Sequence, residues 1–209
     1  MKKLLLISFL VVLSVSLFAQ QKGDFVVSGS LSWISKSSKL TYDSSSETYK
    51  GDREFRIIPE FNYFVADKFS VGLGIGYWLT KERNNNSVDD ELFNKTGRFL
   101  IQPVAKYYVS LGEKFYYVPT FYIGFAVGKY KEELTDSKTE DMDLFSFYTG
   151  LSLLSFEFKP IDRIGITFKT GDLSYQADTY KVDSDNKVTN RSFGLELNLG
   201  ASVGFNYYF

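Results

Sequence analysis

From residue 20 onward, apolar and polar side chains alternate with a period of two, and no stretch carries the three-and-four spacing of a helix. Over 192–209 the odd positions are apolar throughout, ending in Val203, Phe205, Tyr207 and Phe209, whereas the even positions are chiefly Gly, Ser and Asn, with Glu196 among them. Residues 69–79 repeat the pattern, with Phe69, Val71, Leu73, Ile75, Tyr77 and Leu79 on one side and Ser70, Gly72, Gly74, Gly76 and Trp78 on the other. Successive side chains of a strand point to opposite faces, so each segment is a strand with one apolar face. The same reading predicts eight strands, at about 24–35, 53–65, 69–81, 97–110, 115–130, 143–158, 163–176 and 191–209. Their connections alternate in length. Polar segments near 36–52, 82–96, 131–142 and 177–190 are long, whereas 66–68, 111–114 and 160–162 are tight turns. Long loops at one end and short turns at the other describe an all-β, eight-stranded antiparallel up-and-down barrel with both termini on the short-turn side.

The two faces decide what the barrel is immersed in. Phe, Tyr, Leu and Ile fill nearly every position of the apolar face and are too bulky for the bore of eight strands, whereas the small polar face suits a crowded lumen. Aromatics near strand ends on the apolar face, such as Phe61, Tyr63, Phe69, Tyr77 and Tyr107, suit girdles at two membrane–water boundaries. The apolar face therefore meets lipid, and the barrel is transmembrane. Closure follows, because an open sheet edge in hydrocarbon would leave N–H and C=O groups unpaired. Pro59, Pro103 and Pro119 fall mid-strand on the lipid-facing parity, and each predicts a local bulge. The alternation slips around 154–158 and 170–173, where the faces cannot be assigned.

Residues 1–19 differ from the rest: Lys2 and Lys3, an apolar stretch from Leu4 to Leu13, then Ser14, Ser16 and a small residue, Ala19. This is the plan of a secretory signal peptide cleaved after Ala19, which leaves residues 20–209 as the barrel domain. Without Lys2 and Lys3 the chain has 22 basic against 25 acidic residues, a net charge of −3, and no positive field for a nucleic-acid backbone. The chain has no Cys and no His, which removes disulfides, thiol nucleophiles, lipid attachment and the commonest acid/base catalyst and metal ligand.

Three stretches carry a family resemblance: the signal ending Phe18-Ala19-Gln20, the hairpin from Pro59-Glu60-Phe61-Asn62-Tyr63-Phe64-Val65 through Ala66-Asp67-Lys68 to Phe69-Ser70-Val71-Gly72, and the ending Gly204-Phe205-Asn206-Tyr207-Tyr208-Phe209. Together they resemble the small outer-membrane β-barrel proteins of the OmpA/OmpX-like superfamily, over the whole mature chain. The resemblance implies that Phe205, Tyr207 and Phe209 form the signal presented to the barrel-assembly machinery. It also implies location in the outer membrane of a Gram-negative-type cell, among outer-membrane lipid and lipopolysaccharide, with periplasmic chaperones as partners during biogenesis. The sequence departs from OmpA by stopping at Phe209, so no peptidoglycan-binding domain is expected to follow.

The interior parity carries Arg56, Glu60, Arg98, Gln102, Lys106, Lys169, Glu196 and Asn198. Isolated charges in a narrow lumen are costly, so they should pair, Glu60 and Glu196 with Arg56, Lys106 or Lys169, and plug the barrel. Outer-membrane enzymes of similar architecture depend on His, so no catalytic residue and no cofactor is expected. The acidic runs Asp89-Asp90-Glu91, Glu132-Glu133 and Glu140-Asp141-Met142-Asp143 lack the ligand spacing of a calcium loop, and no metal site is assigned. Tyr42, Tyr49, Phe93 and Tyr180 are loop aromatics that either meet a surface ligand or host protein or pack on their own loops. The expected work is structural support or surface interaction through four long extracellular loops. The alternatives are a small channel or carrier of hydrophobic compounds resembling the OmpW-type barrels, and an enzyme using a lumen or loop carboxylate.

Overall fold

A computed structural model describes residues 20–42, 45–83, 92–135, 138–182 and 186–209. The leader predicted over 1–19 lies outside these residues. Ten strand segments follow one another: β1 (Phe25–Tyr42), β2 (Ser45–Ala66), β3 (Phe69–Arg83), β4 (Phe93–Tyr107), β5 (Val109–Ser110), β6 (Phe115–Tyr117), β7 (Thr120–Thr135), β8 (Lys138–Ile161), β9 (Ile164–Lys181) and β10 (Lys187–Tyr208). They form eight staves, because β4 and β5 are one stave interrupted at Tyr108, and β6 and β7 are another interrupted at Val118-Pro119. Every pairing is antiparallel, and the order β1-β2-β3-β4-β7-β8-β9-β10 returns to β1. The eight-stranded up-and-down barrel is therefore the fold, reached because each stave has an apolar face that only closure of the sheet can leave in hydrocarbon.

Burial follows the alternation. On β3, Val71, Leu73, Ile75, Tyr77 and Leu79 point outward and are exposed, whereas Ser70, Gly74, Gly76 and Thr80 point inward and are buried. Trp33, 70% exposed, and Phe205, 65% exposed, belong to the same outer surface. An apolar exterior wrapped around a polar and small-residue interior is the reverse of a water-soluble barrel.

Two expectations need correction. Pro59 and Pro103 produce no bulge: the β2–β3 register runs from Ile57↔Tyr77 to Glu60↔Gly74, and the β4–β7 register from Ile101↔Phe125 to Val104↔Tyr122, without a shift. Each proline interrupts the ladder on one side only, and its ring is exposed on the outer face. Pro119 alone marks an irregularity, the break between β6 and β7.

Three of the four outer segments are also not the long loops that composition suggests, and most of the fourth, 84–91, lies outside the described residues. β1 and β2 stay paired up to Tyr42↔Ser45, β7 and β8 up to Thr135↔Lys138, and β9 and β10 up to Lys181↔Lys187. These hairpins continue past the apolar band with polar residues on both faces, so hydrophobic periodicity does not reveal them.

The slips in alternation are register shifts. On β8 the shifts fall at Ser152, Leu154 and Ser155, opposite Asp172, Gly171 and Lys169 of β9. The inward parity of β8 changes there from even to odd: Ser146, Gly150 and Ser152 are buried before it, Ser155, Glu157 and Lys159 after it. Ring closure is uneven as well. β1 pairs β10 from Val26↔Tyr208 to Leu31↔Val203, and between Leu197 and Ser202 β10 spends five residues against two on β9.

Candidate functional site

The side chains that point into the lumen lie in layers. Near the outer end, Arg98 of β4 donates from Nη1 to Ser146 Oγ at 3.1 Å and to Asp178 Oδ1 at 3.1 Å, and Gln176 Nε2 donates to Asp178 Oδ2 at 2.8 Å. The Arg98 guanidinium also lies 4.5 Å from the Trp78 ring centroid. One layer deeper, Arg56 Nη2 and Tyr148 Oη donate to Gln102 Oε1 at 3.1 and 3.2 Å, beside an apolar cluster of Ile58, Leu100, Ala126 and the Tyr148 ring. Gly124 makes room for the Tyr148 ring, which a Cβ at that position would meet. Gly124→Leu is accordingly expected to destabilise the barrel by roughly 1–3 kcal/mol through overpacking, read as a lower urea midpoint.

The third layer holds a buried ion pair. Lys106 Nζ meets Glu60 Oε1, and the same oxygen accepts from Asn62 Nδ2 at 2.8 Å and Ser28 Oγ at 3.1 Å. Lys169 from β9 lines the same space, where Ser28, Glu60, Lys106, Thr167 and Asn206 surround a cavity of about 30 Å³, enough for about one water molecule. Asn206 Nδ2 donates to Thr167 Oγ1 at 2.7 Å, which ties β10 to β9 at that level.

The short-turn end is closed by an aromatic floor of Val26, Phe64, Tyr108, Val118 and Tyr208. Its rings approach at 5.2 Å (Phe64 to Tyr108) and 6.5 Å (Phe64 to Tyr208). Tyr208 Oη donates to Glu157 Oε1, and the Lys159 ammonium lies 3.8 Å from the Tyr208 ring centroid. The N-terminal segment braces this end, with Gly23 N donating to Phe64 O and Lys68 N to Gln20 O.

Of the predicted lumen residues, Arg56, Glu60, Arg98, Gln102, Lys106 and Lys169 project inward, and Glu60 takes Lys106 as its ion partner. Glu196 and Asn198 lie on the inward parity of β10, but their side chains fall outside the described residues. Sequence reasoning missed Glu157 and Asp172, which the register shifts conceal, Asp178, which falls in the segment 177–190 read as an outer connection, and the aromatic floor. It also passed over Asn62 and Trp78, although their parity places them inward.

Phe205 projects outward, and Tyr207 packs edge-on against Phe209 at 4.8 Å at the closing strand. Among the loop aromatics, Phe93 is buried under the Lys81 ammonium at 3.9 Å, and Tyr180 packs edge-on against Tyr130 at 5.4 Å. Tyr42 and Tyr49 have side chains outside the described residues. The acidic run at 89–91 lies outside them too. At the outer rim Glu133 accepts from Lys95 Nζ and from the Phe93 amide, and these two hydrogen bonds hold its carboxyl below the usual carboxylate range.

No known protein family and no curated protein matches the chain. Solved structures do. The attachment invasion locus protein Ail of Yersinia pestis is matched at 15% identity over 90% of this chain and 100% of that one, with a TM-score of 0.42. The outer membrane protein OprG of Pseudomonas aeruginosa is matched at 16% identity over 91% and 98%, with a TM-score of 0.45. A major outer membrane protein of Thermus thermophilus is matched at 13% identity over 90% and 100%, with a TM-score of 0.47. By its own strand order and apolar exterior, this chain is an eight-stranded antiparallel transmembrane β-barrel.

Proposed function

We propose that the protein is an integral barrel of the outer membrane with a plugged lumen, delivered by a leader cleaved after Ala19, whose work is structural support or surface interaction through its four outer connections. The observation that carries the reading is the filling of the bore. The Arg98–Asp178 pair, the Arg56–Gln102 layer, the Lys106–Glu60 pair and the floor around Phe64 follow one another down the lumen, and the cavity left among them holds about one water. The Ser28 hydroxyl does reach Glu60, but that carboxylate is held by Lys106 and Asn62 inside the filled bore, so the reading is non-enzymatic. Partners are outer-membrane lipid and lipopolysaccharide, the assembly machinery and chaperones during biogenesis, and a surface ligand or host protein at the outer hairpins.

The test is conductance of refolded residues 20–209 in a planar lipid bilayer, with insertion checked by the mobility difference between boiled and unboiled samples. Inserted protein should leave the bilayer electrically silent, and reproducible single-channel steps would replace the plugged reading with a channel. A second reading, a carrier of hydrophobic compounds, is favoured by the short β1–β10 junction, which among the described residues runs only from Val26↔Tyr208 to Leu31↔Val203. It predicts that vesicles holding the protein take up a hydrophobic dye faster than empty vesicles, and equal uptake would remove it.

A further inference from the structure

The strand register sets cations opposite one another on the outer wall. Arg53 of β2 pairs with Lys81 of β3, Lys81 with Lys95 of β4, and Lys95 with Lys131 of β7. All four share the outward parity of Phe55, Leu79, Phe99 and Val127, so they form one row directly beyond the apolar band. Like charges directly opposite each other destabilise a sheet, and neighbouring strands stand only about 4.8 Å apart. Glu133 on Lys95 and Asp141, 3.3 Å from Lys131, offset part of this repulsion.

The row continues around the wall. Lys129 and Lys181 both lie in register with Asp143, and Lys181 stands opposite Lys187. Beside these lysines an open groove of about 450 Å³ runs along the apolar side chains of Val127 and Phe145. The collar as named therefore holds seven cations against three carboxylates, on a chain whose mature net charge is negative. At the opposite end, the outward strand positions Tyr63, Val65, Tyr107, Phe115 and Phe158 carry no charge.

We infer that this rim is a binding collar for the phosphates of anionic lipid headgroups in the leaflet it meets, with an acyl chain seated in the groove beside Lys181 and Lys187. A phosphate between two opposed ammonium groups accepts from both and removes their repulsion, and the long lysine stems lie along the apolar band while their heads reach the headgroup layer. The inference rests on the proposed membrane insertion and goes beyond it by placing the lipid phosphates on named residues.

Native mass spectrometry of the refolded chain, released from neutral detergent after mixing with bis-phosphorylated lipid A or its dephosphorylated form, tests it. The wild type should retain the phosphorylated lipid at least about tenfold better, and K81Q/K95Q/K131Q should lose that preference. Equal retention of the two lipids, an unchanged preference in the triple variant, or displacement by equimolar inorganic phosphate would overturn the collar. If the triple variant shows no folded band, the wild-type comparison of the two lipids still decides. A wild type that never inserts into bilayers would instead count against the membrane reading itself.

Discussion

Lys106→Met is expected to lower the unfolding free energy of the barrel by roughly 3–5 kcal/mol, measured as a lower urea midpoint in lipid vesicles. The magnitude follows from what remains behind. Lys106 and Glu60 are both buried in the third lumen layer, and removing the ammonium leaves a carboxylate whose other partners are the neutral groups of Asn62 and Ser28. Two neutral hydrogen bonds do not replace a counter-ion in a low-dielectric bore. Adding Glu60→Gln should recover a substantial part of the loss, because the unpaired charge disappears while the contact with Asn62 can persist. If the single variant unfolds at the wild-type midpoint, Lys169, which lines the same cavity, is serving Glu60 as an equivalent cation. That outcome would move the weight of the plug from a pair to a cluster.

How far the fold could be read beforehand depends on where the alternation is uninterrupted. On β2, β3 and β4 the inward residues of each strand recur at every second position past the prolines, and Arg56, Glu60, Arg98, Gln102 and Lys106 are assigned to the lumen from parity alone. On β8 and β9 the register shifts near Ser152–Ser155 and Lys169–Gly171 reverse the parity, so Glu157 and Asp172 have no assignable face, and Asp178 falls in the polar segment 177–190 that reads as an outer connection. Asp178 then emerges as the counter-ion of Arg98, a partner 80 residues away in sequence. The outer hairpins were hidden for a different reason. A paired strand in water needs no apolar face, and backbone hydrogen bonds, to which hydropathy is blind, hold Ser37↔Lys50 and Glu133↔Thr139 in register.

Phe64→Ala should cost roughly 3–5 kcal/mol and, combined with Tyr208→Ala, should turn a silent barrel into one that shows conductance steps. Phe64 is 0% exposed, and its ring sits between those of Tyr108 and Tyr208 at the short-turn end. The sequence contains the sign of this floor in three aromatic doublets: Tyr63-Phe64, Tyr107-Tyr108 and Tyr207-Tyr208. Neighbouring residues of a strand point to opposite faces, so each doublet sends one ring to the girdle and the other into the bore. Alternation ranks strands by contrast between faces, and two aromatics in succession provide none. The single variant removes one ring and leaves Tyr108 and Tyr208 facing a cavity, which destabilises the floor but keeps it blocked. The double variant also removes the Tyr208 hydroxyl that donates to Glu157 and the ring over which Lys159 lies, leaving those charges beside water. Steps that appear only in the double variant would locate the seal at the floor. Silence in a folded double variant would locate it higher, at the Lys106–Glu60 and Arg98–Asp178 layers.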